Sequence, residues 1–188
     1  MCFIIVLPSH KKFYPLNPRM ADIEIGDIAL SLSNSCRYTG YTRPHFSVAQ
    51  HSWLVSHGVA KRYALWGLLH DASEAYVSDI STPVKYLPEM APYRRIECHI
   101  MRVVAKKFGL EWPEPAVVKV VDRLLLRTEA EDFGLLTPEW ECYNEKRLDI
   151  KIVPWSHEEA EEKFLERFIE LSAERGAERC ETLLETVA

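Results

Sequence analysis

At 188 residues and 47% hydrophobic content, the chain has the size of one ordinary domain with a sizeable core. Its net charge of -5 and pI near 5.8 argue against coating nucleic acid or an anionic membrane, which needs a surplus of Lys and Arg, while a small anionic substrate requires only a positive pocket. The five cysteines (Cys2, Cys36, Cys98, Cys142 and Cys180) are odd in number and form no Cys-x-x-Cys pair, so neither a disulfide framework nor a zinc ribbon is indicated, and a reducing cytoplasmic location fits.

The apolar run Phe3 to Leu7 is five residues long and is followed by Pro8, too short for a secretory signal or a membrane span. Residues 8 to 22 carry three prolines and read as an extended or looped arm. Asp27 is placed to cap a short helix reaching Ser35, and residues 36 to 46 form a loop with Arg, Gly and Pro. Ser47 and Gln50 make a capping box that opens a helix over 48 to 62. Val48, Val55 and Val59 share a side of that helix with His51, so the histidine is predicted to face inward.

From Tyr63 to Ala75 the apolar density predicts a helix buried on most sides, with His70 and Asp71 in its C-terminal part. The stretch Ser78 to Pro92, with three prolines, reads as a loop over the site containing one short helical turn. Pro92 starts a helix to Phe108 with Gly109 as its stop, and Pro115 starts another to about Phe133, followed by Gly134. After Thr137-Pro138 comes a shorter segment rich in Trp and Tyr. Ser156 and Glu159 form a second capping box for an amphipathic helix to about Arg175, with Ala160, Phe164, Phe168 and Leu171 on one face. There are no repeats, no low-complexity tract and no strong strand alternation, so the predicted fold is an all-α, bundle-like single domain.

The chemistry concentrates around His70-Asp71. A histidine and a carboxylate side by side at the end of a buried helix can share one divalent ion, with Glu74 one turn further on. His51 lies nineteen residues earlier, and Asp122 sits within the apolar stretch Val117 to Leu126. A lone histidine on an apolar face is ordinarily a satisfied core residue. Asp122 is harder to explain that way, because an unpaired buried carboxylate costs on the order of several kcal/mol, although Lys119 or Arg123 are alternative partners. Two imidazoles with two carboxylates suit Mn, Fe, Co, Ni or Zn and leave room for a water or a phosphate oxygen. Glu74 is then a natural general acid or base, and Asp79 a second candidate. Arg37, Lys85 and Lys119 can meet phosphate, and Tyr38 can pack on a sugar or base, or fill core space. Glu129, Glu131 and Asp132 read as a solvated face.

With these residues in view, the chain resembles the HD-domain metal-dependent phosphohydrolase superfamily, most closely its 5′-deoxynucleotidases and small phage-type members, including dATP triphosphohydrolases. The resemblance covers about Pro18 to Asp132 and rests chiefly on His70-Asp71-Ala72-Ser73-Glu74, followed by Asp79, Thr82, Pro83 and Lys85. Tyr38 stands where relatives often carry tryptophan, and Gln50 where they often carry glutamate.

The resemblance implies an HD-domain helical bundle with a catalytic core over about 18–133 and a helical extension over about 134–188. It makes His51, His70, Asp71 and Asp122 the ligands of one divalent transition metal (Co, Mn, Zn, Fe or Ni), with an additional Mg as an option. Glu74 and Asp79 become catalytic, while Arg37, Tyr38, Lys85 and Lys119 hold substrate. The implied reaction is hydrolysis of 2′-deoxynucleoside tri- or monophosphates, dATP among the candidates, by metal-activated water. The implied setting is a cytoplasmic homo-oligomer, a dimer or higher, with a nucleotide substrate and neither nucleic acid nor membrane as partner. The apolar face around Phe164 and Phe168 is available for packing or for subunit contacts. The alternatives are hydrolysis of a signalling nucleotide, such as an alarmone or a cyclic dinucleotide, and a non-catalytic nucleotide-binding helical protein.

Overall fold

A computed structural model describes residues 5–187, with side chains through 176. Cys2, Phe3 and the side chain of Cys180 lie outside the described residues. Of the remaining cysteines, Cys36 and Cys98 are free and exposed, and Cys142 is free and buried.

The fold is all-α. Its helices are α1 (Ile25–Asn34), α2 (Val48–Gly58), α3 (Ala64–Leu69), α4 (Glu74–Val77), α5 (Thr82–Lys85), α6 (Ala91–Lys107), α7 (Ala116–Asp132) and α8 (His157–Val187). The one sheet among the described residues is a small antiparallel hairpin, pairing β1 (Ile5–Val6) in the apolar run before Pro8 with β2 (Lys12–Phe13) in the predicted arm. Asp27 is not a helix cap. It sits within α1 and accepts hydrogen bonds from the Ser9 amide (2.9 Å) and hydroxyl (2.6 Å), pinning the hairpin to that helix.

The α2–α3 pair is the scaffold of the site. Ser47 caps α2 by accepting from the Gln50 amide at 3.1 Å, as expected. The reciprocal half of the box is absent, because the Gln50 side chain donates to the Val153 carbonyl (2.8 Å) and accepts from the Trp155 amide (3.0 Å) instead. It thereby ties the Trp- and Tyr-rich segment to α2. The helix stops at Gly58 rather than 62, where the poor helix propensity of glycine gives way to an extended Val59 and a 3-10 turn at Lys61–Tyr63. Gly67 lets α3 lie directly on α2: a β-carbon there would stand 2.9 Å from the Ser56 Cα.

The predicted helix over 63–75 is broken at its most informative point. Residues 70–73 form a tighter turn, in which the Ala72 amide bonds the Leu69 carbonyl (3.0 Å) and the Glu74 amide bonds that of Asp71 (2.9 Å), each three residues back rather than four. The loop over 78–92 contains two turns instead of one, α5 and a 3-10 turn at Pro88–Met90. Helices α6 and α7 match their predicted spans, and Gly109 and Gly134 both take left-handed conformations after them.

One cluster of buried apolar side chains, from Leu7 to Leu171, underlies these elements. Helix α8 packs against α1, α2 and α3. Its Ala160, Phe164 and Leu171 are buried in that cluster, and Phe168 packs edge-on to Phe108 with ring centroids 5.2 Å apart. Burying a side chain such as Phe164 contributes about 1.5–3 kcal/mol. The α8 face centred on Phe164 is therefore filled by the chain's own core and is not free for a second subunit. No helix among the described residues is long and apolar enough to cross a membrane.

Candidate metal centre

Helix α2 and the tight turn after α3 bring three of the four predicted ligands together, and helix α7 sets the fourth, Asp122, beside His51. His51, His70 and Asp71 each offer an atom within 4.8 Å of the others'. Asp71 Oδ2 lies 3.1 Å from His70 Nε2 and 3.9 Å from His51 Nε2. Asp122 Oδ1 approaches His51 Nε2 to 3.1 Å from the open side, its side chain 38% exposed. Asp122 is thus a partly buried carboxylate at the rim, and neither alternative partner takes it. Arg123 pairs with Glu145 at 2.8 Å and Lys119 with Glu114 at 3.5 Å.

Both His51 and His70 turn a buried Nε2 into this space, each 3.1 Å from a carboxylate oxygen but not in hydrogen-bond geometry with it. Their other nitrogens are fixed: His70 Nδ1 donates to the Gly67 carbonyl at 2.8 Å and His51 Nδ1 donates to Glu129 Oε1 at 2.6 Å. Unpartnered buried polar atoms are uncommon, and two imidazoles anchored through Nδ1 with bare Nε2 atoms beside a carboxylate are a donor set suited to a transition metal. The three-residue group can therefore hold a metal ion.

The local field also favours positive charge. Burial disfavours protonation of His70, yet the adjoining Asp71 and then Asp122 outweigh it and push its pKa up to about 10. Burial likewise works against the charge on Asp122, and His51 and His70 overcome it, lowering that carboxyl to about 2. A field that holds a proton on a buried imidazole favours a cation in the same place.

Glu129 is a residue that the sequence pattern misassigned. It is fully buried, not solvated: Oε1 accepts from His51, and Oε2 accepts from Arg37 Nε (3.1 Å) and from the Tyr38 hydroxyl (3.0 Å). Burial alone would raise its carboxyl, but Arg37 and His51 outweigh that and hold it low. A signal was present, since Glu129 follows Asp122 by seven residues, two helical turns, and so shares its face of α7. Asp132 is not solvated either, because it accepts from the Ile152 amide at 2.8 Å. Glu131 remains exposed.

The predicted substrate residues fall into two groups. Arg37 reaches the centre, with Nη1 3.9 Å from Asp71 Oδ2 while Nε is held by Glu129. The Tyr38 hydroxyl turns to Glu129 and to the Leu126 carbonyl, and its ring packs beside Phe133 and Trp140. Lys85 stands between two carboxylates, 2.6 Å from Glu97 Oε1 and 3.6 Å from Glu74 Oε1. Lys119 is exposed at the rim. Glu74 is only 6% exposed and its Oε2 has no partner. Burial first, then Asp71 and Asp79, push its carboxyl well above the usual range. Asp79 is exposed on the loop that follows α4.

No known protein-family profile matches the chain. It is 43% identical over 127 residues to the uncharacterized protein YfdR of Escherichia coli K12, an alignment covering 68% of this chain and 70% of that one. It is 36% identical over 139 residues to the uncharacterized protein RCAP_rcc00048 of Rhodobacter capsulatus, covering 67% and 70% respectively. The chain belongs to the family of these two proteins. Similarity over about two thirds of the chain at these identities makes a common fold the physical expectation for all three. The names of both relatives state no activity, so the chemistry is argued from the site.

Proposed function

We propose that the chain is a metal-dependent phosphohydrolase of the HD type, acting on 2′-deoxynucleotides. The observation that carries this reading is the pair of buried Nε2 atoms turned toward Asp71, with the buried carboxyl of Glu74, its Oε2 unpartnered, three residues further on. An ion that merely clamped helices would not account for Glu74, whose burial costs stability without serving the ligand set.

His51, His70, Asp71 and Asp122 would hold a divalent ion of the Mn, Fe, Co, Ni or Zn type, which supplies Lewis acidity toward a phosphate ester and toward water. The protein's own groups then manage protons and charge. Hydrolysis forms one P–O bond from water and breaks the P–O bond to the leaving group, so one proton must leave the water and one must reach the departing oxygen. Glu74 suits that exchange, because its environment keeps a proton on it well above the ordinary carboxyl range. Asp79, on the adjoining loop, would orient the water. Arg37 and Lys85 supply fixed positive charge where negative charge develops on phosphate, and Lys119 adds a mobile one at the rim.

The preference for deoxyribose comes from the sequence resemblance. Tyr38, turned to Glu129, favours a second reading in which ribose is also accepted, as in a signalling nucleotide. The deciding experiment is phosphate and nucleoside release from a panel of ribo- and deoxynucleoside mono-, di- and triphosphates, with alarmone and cyclic dinucleotide included. Metal-stripped protein is resupplied with Mn, Co, Zn or Mg. Metal-dependent cleavage confined to deoxy compounds is the expected result. Cleavage of ribo compounds selects the second reading, and no turnover by folded, metal-loaded protein rejects hydrolysis.

A further inference from the structure

We infer that Glu129 is a positioning residue that couples the metal centre to its anion-binding arm, one carboxylate oxygen serving each. The inference rests on the metal-centre part of the reading above and not on the identity of the substrate. Glu129 touches none of the reacting space directly. Its Oε1 accepts a hydrogen bond from His51 Nδ1 at 2.6 Å, which keeps the proton on Nδ1 and leaves Nε2 as the imidazole's lone-pair donor, 3.9 Å from Asp71 and 3.1 Å from Asp122. Its Oε2 takes Arg37 Nε at 3.1 Å, which turns the rest of the guanidinium toward Asp71, with Nη1 at 3.9 Å. The Tyr38 hydroxyl, at 3.0 Å from Oε2, completes the set.

Only a carboxylate satisfies all three donors, because both of its oxygens accept and neither donates. An amide at 129 must place its NH2 group against either His51 Nδ1 or the Arg37–Tyr38 pair. In the first orientation the imidazole moves its proton to Nε2, and a protonated Nε2 cannot ligate. In the second, Arg37 loses its anchor and the guanidinium is free to swing from Asp71. Positions 38 and 39 adopt left-handed backbone conformations, φ 54° and 55°, which are costly for tyrosine and for β-branched threonine. The contact between Tyr38 and Glu129 offsets part of that cost and holds the loop that carries Arg37.

The test compares wild type, Glu129→Gln and Tyr38→Phe as full-length, metal-stripped proteins. Cobalt affinity is measured by competition with a chromophoric chelator, and inorganic phosphate affinity by calorimetry on the cobalt-loaded form. Glu129→Gln is expected to lose about 10–100-fold in cobalt affinity or in phosphate affinity, with an unchanged circular dichroism spectrum. Tyr38→Phe, which keeps the His51 contact, is expected to retain cobalt affinity and weaken phosphate binding alone. Should Glu129→Gln fail to fold, nitrogen NMR of the zinc-loaded wild type gives an independent answer. His51 ligating through Nε2 with its Nδ1 proton retained supports the assignment, and ligation through Nδ1 overturns it. Wild-type affinities for both cobalt and phosphate in folded Glu129→Gln overturn it as well. A wild type that takes up none of these ions rejects the metal centre and this role together. A wild type that binds cobalt but cleaves no nucleotide, with Glu129→Gln weakened, rejects hydrolysis and supports this role.

Discussion

Replacing Glu74 by glutamine separates the two demands placed on that position, proton transfer and folding. The side chain is 6% exposed, Oε2 has no partner, and Lys85 Nζ stands 3.6 Å from Oε1 while it is engaged more closely by Glu97 at 2.6 Å. Glutamine keeps the volume, can present its carbonyl to Lys85 and removes the burial of a charge. The folded-state pKa of Glu74 is raised, so the folded protein holds a proton that the unfolded chain releases above about pH 4.3. The wild type therefore carries no penalty below that pH and carries the full penalty above the folded-state pKa. Glu74→Gln should match wild-type stability near pH 4 and exceed it by a margin that grows as the pH rises to 8, read as a higher Tm. The same variant, loaded with metal, should lose about 10²–10⁴-fold in turnover with metal affinity retained. Thermal melts of metal-free protein across pH, paired with phosphate-release kinetics, read both effects. A stability difference that does not grow with pH would refute the buried-charge argument, and turnover within about tenfold of wild type would remove Glu74 from proton transfer.

Other outcomes follow from the same geometry. Adding cobalt or zinc at about 100 times its dissociation constant should stabilise stripped wild-type protein by about 2.7 kcal/mol, read as a rise in Tm. Asp71→Asn should lose most of that rise, and a wild-type Tm insensitive to all of these ions would count against the centre. Gly67→Ala drives a β-carbon to 2.9 Å from the Ser56 backbone, where no flexible side chain can yield. It should destabilise the fold by about 1–3 kcal/mol and weaken metal binding, since Gly67 also anchors His70. Wild-type melting and metal affinity in that variant would show that α3 can shift without disturbing the site.

The sequence by itself determined the helical class, the starts and stops of α6 and α7, the N-cap at Ser47 and the inward face of His51. Each depends on neighbours within a turn or two, where proline, glycine and hydroxyl caps act directly on the backbone. The adjacency of His70 and Asp71 and the reach of Glu74 were legible for the same reason. Only the tertiary structure decided which carboxylates were solvated: Glu129 and Glu131 sit two residues apart on one helix, and what separates them is that α2 packs over the first. It also decided that Gln50 serves the segment around Val153, that Tyr38 turns to Glu129 and that the α8 face is filled by core. These are contacts across tens of residues, and a pattern read along one helix does not specify which distant donor will arrive to satisfy a polar group.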